Sequence, residues 1–436
     1  MHKPVASGAN DLLCGKERRC VACSVSSRSH HGLRIKGTSL LMENRQKDLD
    51  ALRGLAALFV VTFHYLLAFY PFTVLGNHKG VAQQAAWEAL FHLPPFGLAT
   101  GGHHAVSMFF ILSGYVLSYR FLNSTQCDWT TLISNALKRP VRLGGVVLFT
   151  IGLSAILWSF SFYLNTEAGE SVAAGHWFSR AWKGDLSLQT FLTTFFLNPF
   201  SEGELFSPPL WTIKIELYGS LLTFAFLIVF RSFRYRLIIA FILLLVFHDS
   251  HYAGFWIGII AADTIGTLRG LKLRPYISWT CFALFFYLSA YPHWMSQANL
   301  ASTVYGFLPN DKGYGDGYPL VSAVALFCFV LLTDRTSIWL ACNSTLQRLG
   351  HISYSLYATH YLVLGSLASG LYLITLPHLG HGLSFVLVFA VGLTVSLLLA
   401  TVVNWFVDQP SLRLSNLIGK YAQTALVKIG AKFVKT

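Results

Sequence analysis

Arg53 and His64 bracket the run RGLAALFVVTFH, and the residues between them are almost all apolar. On an α-helix eleven residues turn through ~1100°, three turns plus ~20°. The two side chains therefore share one face, ~16 Å apart along the axis. Arginine carries a permanent, forked cation suited to phosphate oxygens. Histidine titrates near neutrality and can take the proton of an attacking hydroxyl. Within an apolar helix both types are costly, so they are expected to face a bundle interior or a wet cavity. Taken alone, Arg53 also reads as a snorkelling residue and His64 as a hydrogen-bonded structural histidine.

Further candidates lie downstream. Glu216 follows Pro209 by seven residues, ~10 Å into its apolar stretch. A carboxylate there must be paired or protonated. It is expected to orient His64 or bind an acceptor hydroxyl, or else to pair with Lys214 or another cation. KRPVR supplies Arg139 and Arg142, and Ser113–Gly114 forms a small pair suited to close helix packing, with Ser113 also a possible ligand contact. His103 and His104 read as ordinary loop residues. No GxSxG element sits on a strand–turn–helix pattern, which disfavours a serine hydrolase. Cys14, Cys20 and Cys23, followed by His30 and His31, lack a second well-spaced pair, and no metal site is expected.

The elements that must position these residues follow from composition. The 436-residue chain is 54% hydrophobic and only 12% charged, with a mean hydropathy of +0.53. A soluble chain carries about twice that charged fraction. Ten apolar stretches fall at 48–70, 104–122, 143–163, 209–230, 235–249, 251–269, 276–291, 319–334, 351–375 and 383–407. The fifth, seventh and eighth are short for a ~20-residue span. Alternate connections carry twelve Lys and Arg against four (Lys79, Arg180, Lys183 and Lys312). That asymmetry predicts an all-α polytopic membrane protein with about ten transmembrane helices and both termini cytoplasmic. The excess of 32 basic over 19 acidic residues then reflects inner-face loops and membrane lipid rather than nucleic acid. Residues 1–44 read as a disordered cytoplasmic tail without a signal peptide, 45–410 as the membrane domain, and 411–436 as a basic cytoplasmic tail on the inner leaflet. Met42 is an alternative start. The long connections 71–103 and 165–208 are expected to fold over the outer mouth, with 188–198 an interfacial piece.

LDALRGLAALFVVTFHY resembles the first membrane helix of acyltransferase family 3, integral membrane enzymes that acylate extracytoplasmic acceptors. Its signature is a basic residue, ten intervening residues and a histidine. MFFILSGY, with Phe109, Phe110, Ser113 and Gly114, resembles the family's FFxxSG element. KRPVR supplies an RxxR arrangement, and PPLWTIKIELYGS resembles the tryptophan–glutamate span through Trp211 and Glu216. GHISYSLYATHY resembles the late span through Ser353, Tyr354, Tyr357 and His360. DQP at 408–410 stands where an acidic-x-proline ending with glutamate is commoner. These matches run in family order from about 48 to 410.

The resemblance implies an O-acyltransferase, an O-acetyltransferase above all, of the cell (inner) membrane. Acyl-coenzyme A would be the co-substrate, with no bound cofactor, and the acceptor a hydroxyl of a carbohydrate or related molecule. Arg53, Arg139 and Arg142 would hold the donor's phosphates. His64 would act as general base, or as nucleophile through an acyl-histidine, with Glu216 beside it and Ser113, Tyr357 and His360 as further site residues. The reading from a different class is a transporter or flippase, since intramembrane charges also mark transport pathways.

Overall fold

Inside a membrane a backbone satisfies its polar groups only as helices or a closed barrel. The computed structural model describes residues 33–433 except 78–80, 82, 124–127, 173–176, 296, 302 and 310–316, and within these the regular structure is entirely helical. Cys14, Cys20, Cys23, His30 and His31, and the loop residues His78, Lys79 and Lys312, lie outside the described residues. The main helices are α1 (Leu33–Phe69), α2 (Gly102–Leu122), α3 (Trp129–Ser159), α4 (Trp211–Phe230), α5 (Arg236–Val246), α6 (Ala253–Gly270), α7 (Arg274–Leu288), α8 (Gly317–Leu332), α9 (Asp334–Cys342), α10 (Ser344–Val363), α11 (Ser369–Val403) and α12 (Gln409–Phe433). Helix α1 reaches back to Leu33, and α12 continues directly from the last apolar stretch.

All ten apolar stretches become helical, but they are not all of spanning length. Among the described residues five helices are long and apolar enough to cross a membrane, or six when α8 and α9, bent by 90°, count as one. Helix α5 has 11 residues and α7 has 15, short of the ~20 that a span needs. The 86-residue segment Ser344–Ile429 is not one rod. Gly380 has φ +71°, a conformation glycine adopts without steric cost, and the chain reverses there. Tyr372 bonds His381 across the turn, and Asn404 bonds the His351 carbonyl farther down.

KRPVR does not lie in a connection. Helix α3 starts at Trp129 and carries Lys138, Arg139 and Arg142 in its third and fourth turns. Pro140 removes one backbone bond, to the Ala136 carbonyl, yet the helix runs on through it. Helix α12 lies along this part of α3, with Ser134 Oγ donating to the Gly419 carbonyl at 2.7 Å and Gln423 to Thr131.

The bend between α8 and α9 frees carbonyls at the end of α8. Arg269 donates to the Leu331 carbonyl twice, at 2.9 and 2.6 Å, and Arg274 to that of Leu332 at 2.7 Å. Beyond the bend, Ser337 of α9 bonds Asp48 of α1, and Gln347 donates to the Lys47 and Leu340 carbonyls.

Helices α1 and α10 run side by side in the same direction, and their closest approach is glycine on glycine. A Cβ on Gly54 would sit 2.6 Å from the Gly350 nitrogen, and one on Gly350 would sit 2.3 Å from the Asp50 carbonyl oxygen. Ten residues beyond each glycine stands a histidine, His64 on α1 and His360 on α10. Gly350→Ala is expected to force the two backbones apart at a cost of about 1–3 kcal/mol. A lower unfolding temperature with loss of transfer activity, measured on purified protein, would bear this out; an alanine variant matching the parent in both would show that the contact has slack.

Candidate active site

The equal spacing from glycine to histidine on parallel helices brings the two imidazoles together. His360 Nε2 lies 3.0 Å from His64 Nδ1, and His360 Nδ1 lies 3.0 Å from the Leu356 carbonyl oxygen. A carbonyl only accepts, so His360 Nδ1 carries the proton. In the neutral pair His360 Nε2 is then an acceptor, and His64 Nδ1 must donate to it. That leaves the lone pair of His64 on Nε2, the nitrogen a general base needs. His360 is fully buried, while His64 keeps some exposed surface.

Aromatic rings fix the pair. Trp177 stacks parallel to His64 at 11° with centroids 5.9 Å apart, and Tyr361 meets it edge-on at 5.2 Å. Trp182 packs on Tyr361, stacks on Tyr163 at 3.6 Å, and donates its indole N–H to the Phe206 carbonyl at 2.9 Å. The connection between α3 and α4 thus folds over the histidines, as its length suggested. Trp177 and Trp182 have no periodicity to announce them; the only signal was two tryptophans in the loop segment WFSRAW (177–182).

Below the histidines, towards the Arg53 end, a cavity of about 480 Å³ opens among α1, α2, α3, α4, α10 and the junction of α11 with α12. That volume suits a small-molecule site, for which ~300–1,000 Å³ is typical. Arg53, Ser113, Arg139, Arg142, Glu216 and Tyr357 all line it, whereas His64 and His360 do not. Phe109 meets Tyr357 edge-on, and Tyr357 Oη lies 2.9 Å from Thr212 Oγ1. These side chains form its upper end, with Tyr357 one turn below His360.

Of the expectations for Glu216, the one met is pairing with another cation, Arg139, rather than with His64 or Lys214. Its carboxylate takes Arg139 Nη2 at 2.5 Å and Ser113 Oγ at 2.7 Å, while Arg139 also donates to Ser220 at 2.6 Å. The physical reason is cost: a carboxylate and a guanidinium at 15% and 13% exposure neutralise each other rather than remain apart. Gly114 lets α2 touch α6, since a Cβ there would meet the Phe255 carbonyl oxygen at 2.3 Å. Arg53 has a looser partner in Asp50 at 3.3 Å. Arg142 makes no hydrogen bond or ion pair among the described residues. Glu216→Ala leaves Arg139 buried and unmatched, so it should destabilise the fold by roughly 3–5 kcal/mol. The pair Arg139→Met with Glu216→Leu should recover most of that loss. Unfolding curves in detergent decide it; additive losses would show that the two side chains do not act as a pair.

The acyltransferase family 3 profile, described as an acyltransferase domain, matches residues 46–405. The O-acetyltransferase PaAT-1 of Phomopsis amygdali is 24% identical over 89% of this chain and 89% of its own length. No solved structure matches the chain. With most of its length matched, the helical membrane protein is an acyltransferase of groups other than aminoacyl, and the chain belongs to acyltransferase family 3.

Proposed function

We propose that the protein transfers an acyl group, acetyl above all, from cytoplasmic acyl-coenzyme A to a hydroxyl of a carbohydrate or related acceptor at the opposite face. In this reading the ten apolar stretches cross the membrane with both ends cytoplasmic, and the Arg53 end of the bundle faces the cytoplasm. The single observation that carries the proposal is the hydrogen-bonded His64–His360 pair, one helical turn above an arginine-lined cavity.

His64 Nε2 removes the acceptor's hydroxyl proton as the oxygen attacks the thioester carbonyl. The new C–O bond forms, the C–S bond breaks, and the thiolate leaves with the electron pair. Thiols ionise near pH 8.5, so the leaving group needs little acid help, and it collects the proton from His64 afterwards. His360 steadies the transient imidazolium by accepting from Nδ1, its own proton anchored on the Leu356 carbonyl. The donor rises through the cavity from the arginine end, and the acceptor approaches from the side covered by Trp177.

His64→Ala should lower acyl transfer by about 10²–10⁴-fold, the usual span for a general base. His360→Gln should cost less, because it disturbs only the base's orientation. Coenzyme A release by purified protein, given acetyl-coenzyme A and a candidate acceptor, is the measurement. A His64→Ala variant at the parent rate would refute the assignment.

A further inference from the structure

Six charged side chains line the cavity: Asp50, Arg53, Arg139, Arg142, Glu216 and Asp408. Three are cations and three are carboxylates, so the wall carries no net formal charge. Polyanionic phosphates drawn into such a wall would lose hydration without a matching excess of cations. Arg139 is held by Glu216, and Arg53 is engaged by Asp50. A neutral wall with scattered polar groups suits an uncharged, amide-bearing chain better than a nucleotide.

Asp408 says what such a chain should offer. The residue is 5% exposed, and its Oδ1 is buried with no hydrogen-bond partner. Its Oδ2 accepts from Asn404 Nδ2 at 3.3 Å, and that amide also donates to the His351 carbonyl at 2.9 Å. Both residues belong to a π-helical turn, Asn404–Asp408, a distortion that recurs at functional sites. Arg142 lines the same cavity and interacts with Asp408 electrostatically, without reaching ion-pair contact. An orphaned buried acceptor is costly, and a donor group from a ligand would relieve it.

We propose that the cavity seats the uncharged pantetheine arm of the acyl donor, and that Asp408 Oδ1 accepts one of that arm's N–H or O–H groups. The phosphates stay at the mouth on the arginine end. The proposal rests on acyl-coenzyme A being the donor. It also gives the DQP segment a role in binding.

The test compares acyl-coenzyme A with S-acyl pantetheine, which has the arm but no nucleotide. In Asp408→Asn, Asn404 would hold the new amide oxygen at the Oδ2 position, turning an NH₂ group towards the ligand's own donor. The KM for both donors should rise roughly tenfold to a hundredfold, the range for a hydrogen bond to a charged group, with little change in kcat. On the unaltered protein, three pantetheine analogues are assayed, two methylated at one or the other amide nitrogen and one lacking the secondary hydroxyl that coenzyme A also carries. One of the three should lose the same factor. An unchanged KM in Asp408→Asn, or a rise with acyl-coenzyme A alone, would overturn the proposal. So would equal use of all three analogues, a result that does not depend on the variant folding. If the parent consumes neither donor, the acyl-coenzyme A reading fails first and this one falls with it.

Discussion

Everything in the site depends on how closely α1 and α10 approach at Gly54 and Gly350. With side chains at the crossing, the two helices would be held apart by at least a methyl group, and their backbones could not touch. Because both helices run the same way, one contact sets two things. It fixes their lateral distance and, through the equal ten-residue spacing, the height at which His64 meets His360. Packing at one level sets the imidazole contact about 15 Å further along the axis. The membrane favours this arrangement, since helix association there relies on close van der Waals packing rather than on hydrophobic gain.

The second organising constraint is charge. A bundle that admits arginines must place each where its cost is met. Arg139 meets Glu216 and Ser220, Arg236 grips Asp263 with two bonds of 3.0 and 2.6 Å, and Arg269 and Arg274 quench carbonyls left by the bend after α8. Most of these arginines are therefore committed to the fold. The histidine end of the site is built from imidazoles and aromatic rings, and Tyr357, one turn below His360, joins it to the charged cavity.

Much of this was legible in the residues. The apolar stretches located most of the main helices, though not α9, α12 or the extension of α1 back to Leu33. The Arg53–His64 spacing marked one helix face, and the ordered motifs singled out His360 and Glu216 as candidates, of which Glu216 lines the cavity and His360 does not. What stayed hidden was the partner of each. Which charge Glu216 would choose depends on where α3 begins, and the run KRPVR, with its proline and three cations, looks like a connection rather than the middle of a helix. The stacking of Trp177 on His64 joins a loop to a helix more than a hundred residues away, a contact with no periodic trace. The short helices α5 and α7 show the same limit, because length and apolarity measure a candidate span without showing how it is tilted or bent.

The bend after α8 has a mechanical consequence. Glycine contacts let two helices approach but do not stop them from sliding past one another. Helix α9, turned through 90° from α8, is tied to the foot of α1 by the Ser337–Asp48 bond. That bond opposes sliding of α1. With sliding opposed, the imidazole pair gives up its positional freedom during folding, and its alignment carries no further entropic cost afterwards.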